Sequence, residues 1–408
     1  MVLRLLFKPL IRIGTLRVVD ADGNVEEFGG TNGPRVTIRL HEKTLPYKLL
    51  LNAGLYAGEA YMNGTLTIEE GTVRDLIDLY AMNLKAAPPN FLDRPRQLLR
   101  FMFRALQQYN PVSLARKHVA HHYDLSGALY DLFLDKDKQY SCAYFTNEKE
   151  SIETAQENKK RHIAAKLRIE PGMRVLDIGS GWGGLALYLA EACDADVTGI
   201  TLSSEQHRIS NERAKKTGLE NRVRFFLRDY REEKGKYDRI VSVGMFEHVG
   251  VRHYKAYFAK MNELLAEDGV ALLHSIGRME PPAATNPWLR KYIFPGGYSP
   301  ALSEVIQEIE KIGLYITDIE ILRLHYAETL KHWYRRFQAN RKQIAAIYDE
   351  RFCRMWEFYL AGSEAAFRHQ GHMVFQMQLA HKQDAVPLTR DYVTEWERAR
   401  PGFRKSAA

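Results

Sequence analysis

The sequence predicts a doubly wound α/β fold preceded by a small α+β module, and three observations carry that expectation. Val175-Leu176-Asp177-Ile178 runs into Gly179-Ser180-Gly181-Trp182-Gly183-Gly184, and Leu185 to Ala190 continues at helical spacing. Buried strand, tight glycine turn and helix, in that order, form a nucleotide-cradling turn. Downstream, strand-like runs alternate with helical ones, as in βαβ units around a largely parallel sheet. Finally, 408 residues exceed the ~250–300 that one core usually spans. Two domains are expected, residues 1–115 and 116–408.

In chain order, residues 1–17 carry Arg4, Lys8, Arg12 and Arg17 among leucines and isoleucines, with no acid. Pro9 interrupts any continuous helix, so the stretch reads as an interfacial segment or as an edge whose apolar residues enter the small domain's core. Leu16–Asp20 and Arg35–Leu40 alternate like strands, and the turn at Asp22-Gly23-Asn24 signals a hairpin. Tyr47–Gly58 and Thr72–Leu84 read as helices, with Thr72 as N-cap. Pro88, Pro89, Pro95 and Pro111 mark loosened chain before the boundary near residue 115. A helix is predicted over about 151–167. Strands follow at Val175–Ile178, Ala195–Ile200, Val223–Arg228, Tyr237–Gly244, Gly269–Gly277 and Leu314–Leu322. Helices at Glu205–Thr217, Tyr254–Leu265 and Leu302–Ile312 separate them. From Tyr326 to Lys382 the chain is aromatic and basic with helical periodicity.

Composition narrows the class. Hydrophobic residues at 45% and charged residues at 26% describe an ordinary globular chain. Three cysteines, Cys142, Cys193 and Cys353, are odd in number and lie in no metal spacing, which predicts a reduced, cytosolic protein without disulfides. No apolar run approaches the ~18 residues that would cross a bilayer. A net charge of +8 points to an anionic partner, either nucleic acid or the inner membrane leaflet.

In an open α/β sheet, ligands bind beyond the carboxyl ends of the strands. The candidates there are Gly179–Gly184, Thr201–Gln206, Asp229-Tyr230, Phe246-Glu247-His248 and His274-Ser275-Ile276. The glycine turn fits G-x-G-x-x-G, so a dinucleotide site is one reading. Asp177 within the strand end suits a cationic or amine-bearing ligand better than a pyrophosphate. The second strand runs into Thr201-Leu202-Ser203, without the ribose-binding acid expected about 20 residues on. S-adenosylmethionine fits both features. The fourth strand lacks the polar–Pro–Pro–aromatic turn common in enzymes that methylate base amines, which weighs against nucleic acid as substrate. Taken singly, His274 reads as a core histidine, Cys142 as a small buried hydrophobe and Glu247 as a capping or surface acid.

Six segments in order change that weighting: His121-His122-Tyr123-Asp124, Tyr140-Ser141-Cys142-Ala143-Tyr144-Phe145, Leu176–Gly183, Gly199–Ser203, Phe246-Glu247-His248-Val249-Gly250 and His325–Leu330. Together they strongly resemble the cyclopropane fatty acid synthase family, related to the mycolic acid methyltransferases, over residues 118 to about 385. The resemblance implies a seven-stranded Rossmann-like methyltransferase sheet. It implies donor contacts from Tyr140, Ser141, Asp177, Gly179, Gly181, Thr201, Leu202, Ser203, Gln206, Asp229 and Tyr230. It further implies that Cys142 and Ile276 (through their backbones), with Glu247, His274 and Tyr326, hold a bicarbonate ion, and that no metal takes part. The N-terminal module resembles the extra domain of the bacterial phospholipid enzymes, expected to bind lipid or to mediate a homodimer. An unsaturated phospholipid is then the expected substrate, met peripherally at an anionic membrane surface. Two other classes remain open at this point: a non-catalytic lipid-binding scaffold, and an RNA methyltransferase.

Overall fold

The computed structural model describes residues 2–30, 32–84 and 127–400. The segment His121–Asp124, the prolines between 88 and 111 and the boundary near residue 115 lie outside them. The chain divides into two compact units, and neither is continuous in sequence. One gathers residues 1–104, 283–295 and 330–372; the other gathers 105–282, 296–329 and 373–408.

In the first unit, β1 (Thr15–Val19), β2 (Val25–Gly29), β3 (Arg35–Leu40) and β4 (Leu66–Glu70) form a sheet of order β2-β1-β3-β4. The Asp22-Gly23-Asn24 turn does make a hairpin, but the partner of β1 across it is β2, and β3 lies parallel to β1. The sequence reading passed over β2 and β4 because each shows little apolar alternation; β2 buries only Phe28. The helix Leu45–Asn63 covers Leu16, Val18, Val36 and Ile38, and Leu3 and Ile11 join that core. Leu3 and Ile11 of the basic N-terminal stretch thus enter the small unit's interior, whereas Leu5 and Ile13 stay exposed.

Helix Glu350–His369 belongs to this unit and brings two buried acids with it. Glu364 takes both arms of Arg74 at 2.9 and 2.7 Å. Glu357 accepts from Tyr61 at 2.8 Å and from Gln338 at 2.6 Å. Burying such side chains is costly unless donors surround them.

The second unit is built on seven strands: β5 (Arg174–Ile178), β6 (Asp196–Thr201), β7 (Val223–Leu227), β8 (Tyr237–Val243), β9 (Leu265–Arg278), β10 (Tyr315–Ile321) and β11 (His372–Ala380), in the order β10-β11-β9-β8-β5-β6-β7. β5 pairs in parallel with both β6 and β8, so the strand order reverses at β5. Valine, isoleucine and leucine fill these strands because helices cover both faces. The helix Ile152–Leu167 starts where Ser151 caps it by accepting from the Thr154 N–H. One element differs in kind from the sequence expectation. Helical periodicity holds to His369, but residues 372–380 form β11, antiparallel to β10. Eight of its nine residues are buried, so it shows no period-2 alternation for the sequence to display.

Candidate active site

A cavity opens beyond the carboxyl ends of β5, β6, β7 and β8, where the strand order reverses, and encloses about 1240 Å³ with its open mouth included. Its wall takes Asp177, Gly179 and Gly181 from the turn after β5, and Thr201, Leu202 and Gln206 from the end of β6. Asp229 and Tyr230 come from the end of β7, and Tyr140 and Ser141 from the segment before helix Ile152–Leu167. Ten of the eleven residues expected around the donor therefore line one cavity. Ser203 does not; its hydroxyl caps the helix Ser204–Lys216 by accepting from the Gln206 N–H at 3.3 Å. At Gly179 φ is +83°, and a Cβ there would stand 2.8 Å from the Cβ of Met245. The turn can pass this close to the β8 loop only without a side chain.

The cavity's chemistry suits a donor that carries an amine and hydroxyls. Asp177 is 2% exposed, and its Oδ2 has no protein partner. Burial pushes its carboxyl up to about 7 against the opposing charge of Lys159, so a bound ammonium would both satisfy the orphaned oxygen and restore its ionised form. Asp229, by contrast, is fully engaged: its two oxygens take Arg231 Nε and Nη2, each at 2.7 Å. Thr201 donates to Gln206 Oε1 at 2.9 Å, which fixes the amide at the cavity wall.

The five residues expected to hold bicarbonate do not line this cavity. Cys142 and Glu247 adjoin lining residues in the chain, and His274 pairs with the lining residue Val243 between β9 and β8. Glu247 lies not in an open loop but in the buried turn Phe246–His248, flanked by the lining residues Met245 and His248. Its Oε1 accepts from the Ile276 N–H at 2.7 Å, so that N–H orients the acid. Its carbonyl accepts from Tyr298, which fixes the turn. His274 precedes Ile276 by two residues on β9, hence on the same face, and is 2% exposed. Glu247 Oε2 and His274 Nε2 are both buried without a protein partner. Cys142 and Tyr326 lie on two segments that hydrogen bonds join. The segment following Cys142 is tied to the helix His325–Ala339 by Ala143 N–H to Thr329 Oγ1 and Phe145 N–H to His325 Nδ1, both at 3.0 Å. Burial raises the Cys142 thiol far above its ordinary range, so it is no nucleophile.

Burial also pushes Glu247 up to about 7, against the pull of the Ile276 N–H. Between the unfolded value near 4.5 and about 7, the native state keeps protons on Asp177 and Glu247 that the unfolded chain has shed. Their contribution to stability is complete at lower pH and disappears as pH rises through 7. Chemical denaturation at pH 5 and pH 8 should show the lower stability at pH 8 from this pair.

Sequence reasoning missed Lys159. It is completely buried, and its Nζ donates to Gln139 Oε1 at 2.6 Å and Ser141 Oγ at 2.7 Å, both residues of the cavity wall. Desolvation lowers its pKa to about 8 while Asp135 opposes the shift. The sequence offered no signal, since Lys159-Lys160 on a helix normally faces water. Lys159→Met should weaken donor binding about tenfold, each hydrogen bond to a charged group contributing ~1.5–3 kcal/mol in part offset by relaxation. Calorimetric titration with the demethylated donor would show this, and an unchanged Kd would mean other contacts hold Ser141 and Gln139.

The sheet order, the glycine turn and the cavity define a Rossmann-like S-adenosylmethionine-dependent methyltransferase, and comparison with known proteins agrees. The mycolic acid cyclopropane synthetase family matches residues 112–377, and a domain of unknown function matches residues 2–87. The chain belongs to that cyclopropane synthetase family. Cyclopropane-fatty-acyl-phospholipid synthase of Escherichia coli K12 is 38% identical over 346 residues, covering 83% of this chain and 86% of its own. Tuberculostearic acid methyltransferase UfaA1 of Mycobacterium tuberculosis is 35% identical over 387 residues, covering 89% and 87%. Among solved structures, cyclopropane synthase MmaA2 of Mycobacterium tuberculosis superposes with a TM-score of 0.63 at 33% identity, over 66% of this chain and 99% of its own. The mycolic acid cyclopropane synthase CmaA1, solved with S-adenosylhomocysteine and CTAB, gives 0.62 at 32% identity, over 67% and 99%.

Proposed function

We propose that this protein transfers a methyl group from S-adenosylmethionine to the cis double bond of a phospholipid acyl chain and closes a cyclopropane ring, with bicarbonate as the base. The observation that supports it best is the buried pair Glu247 and His274, with the Ile276 N–H on Glu247, next in chain or register to residues of the methyl-donor cavity wall. Bound S-adenosylmethionine supplies an activated methyl group, and bicarbonate supplies the proton acceptor. Asp177 receives the donor's amine, and Gly179 leaves room for its chain. The alkene's π pair forms the new carbon–carbon bond as the carbon–sulfur bond breaks, leaving a carbocation on the acyl chain. Water at that point would give an alcohol, so the residues around Glu247 must keep the site dry. Phe246 stacks on Tyr254 at 4.3 Å and tilts against Tyr257 at 5.0 Å, and all three rings are buried. One proton of the new methyl then leaves as its electron pair closes the ring. Glu247, once ionised, accepts a hydrogen bond from the anion's hydroxyl, and His274 and Tyr326 hold its remaining oxygens.

The first 117 residues hold 16 Lys/Arg against 11 Asp/Glu, a surplus that favours anionic lipid by ~1 kcal/mol for each basic residue near the surface. Among the described residues no helix is long and apolar enough to cross a membrane. The charge surplus supports peripheral docking at an anionic membrane surface, with lipid binding assigned to the N-terminal unit.

A second reading, a methylene-branched product formed when the cation loses a proton without ring closure (a methyl branch would need a further hydride donor), is favoured by the similarity to the tuberculostearic acid methyltransferase over 89% of the chain. The two share everything up to the cation and differ only in how it is quenched. Incubation with labelled donor and oleoyl phosphatidylglycerol vesicles, followed by mass spectrometry of the acyl chains, separates them. A chain one CH2 heavier that resists mild hydrogenation of double bonds is expected, with no product from saturated lipid. A reducible methylene product would establish the second reading, and label in RNA instead of lipid would overturn both.

A further inference from the structure

We infer that Gln376 is a positioning residue that holds His274 in the tautomer with its proton on Nε2, so that the imidazole presents an unpartnered hydrogen-bond donor at the end of β9. This rests on the reading of His274 and Glu247 as anion holders, and it adds a residue from a strand that the sequence did not reveal.

Gln376 stands at the middle of β11, wholly buried, with Phe375 and Met377 as chain neighbours in the large apolar cluster of this unit. An amide in such a place has a cost unless its polar atoms find partners. Its Nε2 lies 3.2 Å from His274 Nδ1, while its Oε1 has no protein partner. An amide nitrogen can only donate, so Nδ1 must accept and can carry no proton. Turning the amide round would pair its oxygen with an Nδ1 proton but leave both amide hydrogens buried and unmatched. Orphaned buried N–H groups are rarer than under-satisfied carbonyls, which favours the first arrangement.

The ring is also neutral. Burial, together with the charges of Lys159, Lys166 and His162, holds His274 well below the ordinary histidine range, with only Glu320 opposing. A neutral imidazole that accepts at Nδ1 has its proton at Nε2. That nitrogen has no protein partner, and neither has Glu247 Oε2; Glu247 is held through the N–H of Ile276, two residues beyond His274 on β9. The two residues therefore offer one unpartnered donor and one unpartnered acceptor about the same stretch of β9, which matches an ion with both a bare and a protonated oxygen.

The test is nitrogen NMR of the full-length protein with labelled histidine, the His274 signals being those lost in His274→Asn. Wild type should show the Nε2–H tautomer unchanged from pH 6 to 9. Gln376→Glu should reverse it, since a carboxylate accepts from Nδ1–H, and should raise at least tenfold the bicarbonate concentration giving half-maximal rate. Gln376→Met, close in volume, should leave a mixture of tautomers and a smaller rise, with donor Kd unchanged in both variants. An Nδ1–H signal in wild type, or Gln376→Glu leaving the tautomer as it was, would overturn the assignment. If wild-type turnover proved indifferent to bicarbonate while Gln376→Glu still switched the tautomer, Gln376 would keep its role and the anion reading would fall.

Discussion

Glu247→Gln lowers kcat by about 10²–10⁴ at neutral pH while leaving donor affinity within about twofold, on the usual scale of losing one group that acts on a transferred proton. The substitution is the sharpest one available because it changes so little else. Glutamine keeps the volume and the oxygen that accepts from the Ile276 N–H at 2.7 Å. It replaces the buried, unpartnered Oε2 with an NH2 that can only donate, so a hydroxyl of the proposed anion would lose its acceptor. The donor cavity is bordered by Met245 and His248 but not by Glu247, which is why affinity should hold. The pH profile gives a second, independent readout. With the carboxyl pushed up to about 7 by burial, the wild-type kcat measured at saturating donor should fall as pH drops through 7, because only the ionised form accepts. Glu247→Gln should lack that limb. An acidic limb in donor affinity should persist in both, since Asp177 also titrates near 7. Full turnover by Glu247→Gln would remove this residue from the reaction altogether.

Gly183→Ala destabilises the second unit by about 2–5 kcal/mol and lowers its Tm by about 5–15 °C. Gly183 caps the helix Gly184–Cys193 at φ +82°, a left-handed conformation that costs a residue with a side chain roughly 1–2 kcal/mol. An added Cβ would also lie 2.7 Å from Phe225 Cζ and 2.8 Å from Ser210 Cβ. Phe225 sits on β7 and Ser210 inside the helix Ser204–Lys216, both buried. Neither can withdraw without moving its element, and overpacking of this kind typically costs ~1–3 kcal/mol. Gly218→Ala is the control, with φ +70° and nothing within 4 Å of the new Cβ. It carries the backbone strain without the collision and should lose no more than about 1–2 kcal/mol. Equal losses in the two variants, followed by thermal unfolding, would show that the contact with β7 is relieved and that only strain matters.

The two effects differ in where they were legible. The glycine turn could be read directly, because a strand, a close turn and a helix impose residue types at fixed spacing. The same holds for β5 to β10 and for the helices among them, whose apolar runs are long and bounded by turn residues. Ten of the eleven residues expected around the donor line the cavity because a parallel sheet brings its strand ends together whatever lies between them. The roles proposed for Glu247, His274 and Tyr326 could not be read from their own patterns. Each alone resembles an ordinary capping, core or helical residue, and only the family resemblance singled them out.

What the sequence by itself determined is the order of strands and helices and the chemistry gathered at their ends, since both follow from local periodicity and turn geometry. Tertiary structure alone decided three things. It made 372–380 a strand, because burial on both faces erases the alternation that marks one. It drew 283–295 and 330–372 into the N-terminal unit, because a helix's apolar stripe says that it is covered but not by what. It placed Lys159 under Ser141 and Gln376 against His274, 18 and 102 residues away in the chain. Hydrogen bonds between side chains so far apart leave no periodic trace in either segment, so they exist as information only once the chain has folded.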